Sequence, residues 1–135
     1  MAIAVIYWSG TGNTEAMAKA IAKGIGAEAE VFSVDSVDAS IIQKYEKFAF
    51  GCPSMGAEVL EEELFEPFFA SVENALSGKK VALFGSYGWG DGEWMRDWQG
   101  RVAGVGANLF DEGFIQNEAP DEGACEEFGS KFAAF

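Results

Sequence analysis

Residues 8–14 read Trp8-Ser9-Gly10-Thr11-Gly12-Asn13-Thr14 and follow directly on an apolar run. Six consecutive small polar residues, 9–14, therefore stand where a strand is expected to pass into a helix. Backbone N–H groups at a helix N-terminus, together with the positive end of the helix dipole, hold an anion without a cation. The hydroxyls of Ser9, Thr11 and Thr14 and the amide of Asn13 add side-chain donors. No lysine or arginine occurs in the chain before Lys19. The chemistry indicated is phosphate binding by neutral groups. An ordinary capped turn uses the same residue types, but six in a row exceed what one cap needs. Two familiar phosphate loops are absent. A Walker A loop needs a Gly-Lys pair, and the dinucleotide fingerprint needs a third glycine where this chain has Glu15.

Two further loops carry residues of the right kind. The stretch 85–94 reads GSYGWGDGEW and sets Tyr87 and Trp89 among Gly85, Gly88, Gly90 and Gly92, with Ser86 and Asp91 alongside. Aromatic rings on such a loop can lie flat on a planar ligand, where stacking contributes about 0.5–1.5 kcal/mol beyond burial. The other use of such rings is a loop folded back on itself. The stretch 52–59 reads CPSMGAEV. After Pro53 and Ser54 it offers Met55, a polarisable filler, and Gly56, whose backbone can adopt φ > 0 or approach a ligand closely. Glu58 can accept a hydrogen bond from a ring N–H. A phosphate at one end, a stacking platform at the other and hydrogen-bonding groups between describe a mononucleotide with a flat head, the shape of flavin mononucleotide (FMN).

These loops need elements to hold them. Short apolar strands are expected at 3–7, 29–34, 48–52 and 81–85, with a broken pair near 108–110 and 114–116. Helical stripes fall between them: Met17, Ile21 and Ile25, ended by Gly26; Phe68, Val72 and Leu76 after Pro67; Trp94, Trp98 and Val102; and Phe128, Phe132 and Phe135 after Pro120. The aromatic stripes read as core. Strand and helix alternate without a repeat or linker, which predicts one domain over residues 1–135 with a parallel sheet covered by helices on both faces. Ligands in such sheets bind at the carboxyl ends of strands, where the strand order reverses. That places the three loops together.

Composition narrows the partners. With 22 acidic and 9 basic residues the net charge is −13, which argues against nucleic acid and against an anionic membrane surface. It favours a partner with a basic docking face, reached by long-range steering. The chain has no histidine, which removes histidine acid–base chemistry and most zinc sites. Cys52 and Cys125 lack metal-ligand spacing and read as free thiols of a reducing cytoplasm. The chain begins with no signal-like segment, and no apolar run approaches the ~18 residues of a membrane span. A soluble, cytoplasmic monomer is expected.

With SGTGNT after the first strand, GCPSMGAE after the third and GSYGWGDGEWM after the fourth, the chain resembles the short-chain flavodoxins of anaerobic bacteria along essentially its whole length. The resemblance implies a doubly wound five-stranded parallel sheet of order 2-1-3-4-5, an order taken from the family and not from counting elements here. It implies that residues Ser9 through Thr14 cradle the FMN phosphate, with Trp8 beside them. Met55 would cover one face of the isoalloxazine and Trp89 the other. Glu58 would bind the ring N3–H, the Gly56 carbonyl would turn toward N5 once it is protonated, and Ser86 through Gly92 would wrap the ring edge. Relatives often carry Asp, Asn or Ser where this chain has Ala57. If the turn needs φ > 0 there, a Cβ penalty of about 1–2 kcal/mol follows, and the semiquinone would be less stabilised than in an Asn variant. The function implied is low-potential one-electron transfer between neutral semiquinone and anionic hydroquinone, without substrate turnover. A rival on the same fold is an FMN-dependent NAD(P)H:quinone-type reductase, which needs basic residues near the loops; Arg96 and Arg101 are the nearest. A signalling receiver would need Asp where Cys52 ends the third strand. A low-molecular-weight phosphatase would need Arg, not Glu58, six residues after Cys52.

Overall fold

The fold is built on short strands, the three central ones buried on both faces. In the computed structural model, which describes residues 2–135, these are β1 (Ile3–Tyr7), β2 (Ala29–Ser33), β3 (Lys47–Gly51) and β4 (Lys80–Tyr87), followed by β5 (Asn108–Leu109) and β6 (Phe114–Asn117). All pairings are parallel, in the order β2-β1-β3-β4-β5, with β6 also on β4. The fifth position of the sheet is thus filled by two pieces, one against Lys80 and Val81 and the other against residues Phe84 to Tyr87. The broken pair in the sequence has this meaning. Between the pieces Asp111 adopts a positive φ of 53°.

Alternation along the strands divides the core into two layers. Ala4, Ile6, Phe48, Phe50, Val81 and Leu83 face α2 (Phe65–Val72) and α3 (Glu93–Gly104). Ile3, Val5, Ala49, Ala82 and Phe84 face α1 (Asn13–Ile25) and α4 (Glu122–Ala133). The expected stripes lie in these layers, with Trp94, Trp98 and Val102 on α3 all buried. Phe135 lies past the end of α4 and is 37% exposed. Between β2 and β3 two 3₁₀ turns, Val34–Ser36 and Ala39–Lys44, replace a crossover helix.

Several boundaries shift from the sequence expectation, and three of the shifts have a capping or pairing reason. Pro67 is the third residue of α2, not the first. The buried Glu61 carboxylate accepts the N–H groups of Glu63, Leu64 and Phe65, each at 2.8 Å, and so fixes an earlier start. Pro120 precedes α4, whose cap is Asp121, accepting the Ala124 N–H at 3.1 Å. β4 runs to Tyr87 because Ser86 and Tyr87 pair with Gln116 and Asn117. Ser86 and Tyr87 are therefore strand residues and not loop residues.

Helices α1 and α4 touch backbone to backbone through two glycines. A Cβ on Gly129 would overlap the carbonyl of Ile21, and one on Gly24 the carbonyl of Glu126. Gly129→Ala is expected to cost about 1–3 kcal/mol by overpacking. Gly100→Ala, in α3 with nothing within 4 Å of the added Cβ, is expected to gain about 0.5–1 kcal/mol of helix propensity. Urea unfolding of both variants checks the opposite signs.

Candidate functional site

The carboxyl ends of β1, β3 and β4 open on a cleft of about 240 Å³. Trp8, Gly10, Thr11 and Asn13 line it after β1, and Pro53, Ser54 and Met55 after β3. Ser86, Tyr87 and Gly88 line it from β4. A second hollow of about 440 Å³ lies on the next residues of the same two loops, lined by Ala57, Glu58, Trp89, Gly90, Asp91 and Glu93. The three loops singled out in the sequence do converge.

The first turn of α1 is prepared for an anion. Gly12 caps it with φ 99°, and the Gly12 N–H donates to Ser9 Oγ at 3.0 Å. Ser9 thus supports the turn and keeps its own hydroxyl proton for another acceptor. The opening amides of the helix lack intrahelical partners by geometry. Thr14 lies below the cleft surface, 1% exposed, with its hydroxyl 2.8 Å from that of Ser86. The Ser54 N–H donates to the Ser86 carbonyl at 3.0 Å. The Ser54 hydroxyl, in contrast, is buried with no hydrogen-bond partner among the described residues. A buried donor left in this state beside the cleft fits a site completed by a ligand oxygen.

The turn after β3 is closed by paired hydrogen bonds between Met55 and Val59, both 2.9 Å. Gly56 has φ 49° and Glu58 φ 56°, whereas Ala57 between them is not a positive-φ residue. The left-handed cost expected at Ala57 therefore falls on Glu58 in this conformation, and the Cβ argument for an Asn variant has no footing in it. The Glu58 carboxylate, 7% exposed, offsets that cost by accepting the N–H groups of Asp91 at 2.8 Å and Glu93 at 2.9 Å. It lies directly over Gly90, where a Cβ would overlap its oxygen. Gly92 caps α3 with φ 94°.

The two expected stacking aromatics divide. Trp89 is 59% exposed, with no ring partner among the described residues. Tyr87 is half-buried and leans on Trp94 at 5.7 Å, so its ring serves the core as well as the cleft. Sequence reasoning missed Glu118, which lines the first cleft. It has φ 55°, and its N–H donates to the Tyr87 carbonyl at 2.8 Å. No local pattern marks it; the pairing of β6 with β4 brings it there. The two arginines near the loops are already paired. Arg96 meets Asp91 at 3.0 Å, and Arg101 meets Glu66 at 2.7 Å and Glu73 at 2.9 Å.

The family model for flavodoxin matches residues 5–129. The chain belongs to the flavodoxin family. It is 48% identical to the flavodoxin of Clostridium beijerinckii, over 96% of this chain and 97% of that one. It is 43% identical to the flavodoxin of Megasphaera elsdenii, over 97% and 98%. The solution structure of two-electron reduced Megasphaera elsdenii flavodoxin superposes with a TM-score of 0.90 at 42% identity, covering 98% of this chain and 99% of that one. Flavodoxins bind FMN and carry electrons without turning over a substrate. The neutral donors of 9–14 and the unpartnered Ser54 hydroxyl fit that cofactor's phosphate and ribityl end.

Glu58 is also a structural clasp in this flavodoxin fold. Removing it leaves two amides without their acceptor, so Glu58→Ala is expected to lower the stability of the apoprotein by about 1–2 kcal/mol. Chemical denaturation measures this, and an unchanged midpoint would remove the clasp from the argument.

Proposed function

We propose that this chain is a single-domain, cytoplasmic, monomeric electron carrier that holds FMN across the two hollows. It shuttles single electrons between the neutral semiquinone and the anionic hydroquinone at low potential. The observation that carries this reading is electrostatic. Glu58, Asp91 and Glu93 line the second hollow and Glu118 the first, while Arg96 and Arg101 are engaged by carboxylates. Neutral donors can satisfy a phosphate that is always anionic, but no lysine or arginine lines either hollow to compensate a further negative charge at the ring. That raises the cost of the second electron and keeps its potential low.

FMN supplies the one-electron chemistry, and the protein tunes it. In this reading Ser9 to Thr14 and Ser54 hold the phosphate and ribityl oxygens. Trp8, Pro53, Tyr87 and Gly88 wall the cleft. Met55 and Trp89 cover the two ring faces, and Gly90 to Gly92 bound the ring edge. Glu58 keeps lone pairs beyond its two amide bonds, enough to accept from the ring N3–H as well. Gly56, already at positive φ, offers its carbonyl to N5 without a Cβ cost at that residue.

Anaerobic stepwise reduction of the FMN-loaded protein, followed by visible absorbance, tests the proposal. A broad long-wavelength band that rises and then falls is expected. Direct bleaching without that band would point to two-electron chemistry and overturn it. Reduction by a partner with a basic docking face is expected to slow as ionic strength rises, and a salt-independent rate would count against such docking.

Ser54→Ala separates binding from stability. Removing a buried hydroxyl that lacks a partner is expected to leave the apoprotein as stable or more stable by about 1 kcal/mol, while FMN affinity falls about five- to tenfold. Fluorescence titration and urea unfolding read the two effects.

A further inference from the structure

Among the described residues, the four cysteine and methionine sulphurs outside the cleft are sealed in the core. Cys52 and Cys125 are fully buried. Burial pushes the Cys52 thiol far above its ordinary range. It also pushes Cys125 up to about 11, with Asp121, Glu122 and Glu126 adding to the effect. Neither is a thiolate at neutral pH, and the thiolate is the reactive form. Met17 is 0% exposed and Met95 2%. Met55 is different. It is 36% exposed and shares the cleft with Trp8, Pro53 and Tyr87. Both its backbone groups are tied to Val59, so the turn fixes where its side chain is displayed.

We propose that Met55 is a site of oxidation by hydrogen peroxide and that the sulphoxide formed there weakens retention of FMN. The thioether sulphur gives an electron pair to one peroxide oxygen. The S–O bond forms as the O–O bond breaks, and the other oxygen leaves as water after proton transfer. Sulphur is oxidised and peroxide is reduced, with no further reactant. The product is polar and chiral where a polarisable apolar group lined the cleft. The effect on the cofactor rests on the proposed FMN site; selective oxidation does not.

The test treats the apoprotein and the FMN-loaded protein with hydrogen peroxide, followed by peptide mass mapping and FMN titration. In the apoprotein Met55 is expected to gain one oxygen at least about tenfold faster than Met17 or Met95, as exposure dictates. Bound FMN is expected to slow that reaction. FMN affinity is expected to fall about tenfold after oxidation, through loss of the sulphur–ring contact and its burial. In Met55→Leu the same treatment leaves the affinity at its untreated value. Equal oxidation of Met17 or Met95 in the folded protein, or an untouched Met55, overturns the site. Oxidised Met55 with unchanged affinity overturns the link to the cofactor. Selective oxidation in a protein that never binds FMN would sink the cofactor reading and uphold the oxidation site.

Discussion

The hydroxyls of Thr14 and Ser86 meet at 2.8 Å in a buried position, and the cleft is organised around that contact. It ties the first turn of α1 to the end of β4, while the Ser54 N–H ties the loop after β3 to the same residue through its carbonyl. Three segments distant in sequence are thereby held at one floor. In a low-dielectric setting these polar groups are costly unless paired. The floor is therefore stable only in the arrangement that satisfies them, and the unpartnered Ser54 hydroxyl stands out against it. Above that floor the backbone of α1 turns its positive end toward the cleft.

Charge is separated along the sheet. Lys47 and Lys80, at the amino ends of β3 and β4, reach the last carbonyls of the chain. Lys47 donates to Phe132 and Ala133, and Lys80 to Phe135. Cations at a helix C-terminus complement its dipole. Burial, with the neighbouring Lys80, holds the Lys47 ammonium below its ordinary range. At the opposite end, carboxylates flank the cleft and the local arginines are engaged. An acidic end whose phosphate-binding loop is neutral suits a carrier that tunes a bound redox group.

Much of this was legible in the sequence because the signals are local. The helical stripes depend on a period of three to four residues, and the anion loop depends on consecutive small polar residues beside a strand. The strand order was legible only through family resemblance, since several orders satisfy the same alternation of elements. Glu61 was not legible as a cap. It lies among the consecutive acids 61–63, whose residue types do not distinguish one carboxylate from the next, and only folding brings its carboxylate onto three amides.

The sequence by itself determined the element types, the two-sided apolar core and the identity of the three loops. Each follows from side-chain chemistry over a few neighbouring residues. Tertiary structure alone decided where strain and unsatisfied polarity reside. The left-handed non-glycine residue in the 55–59 turn is Glu58 and not Ala57, and its carboxylate gains two amides from the loop opposite. Glu118 reaches the cleft because β6 pairs with β4 in one register. These outcomes depend on atoms thirty or more residues apart, and no local pattern of residue types encodes such distances.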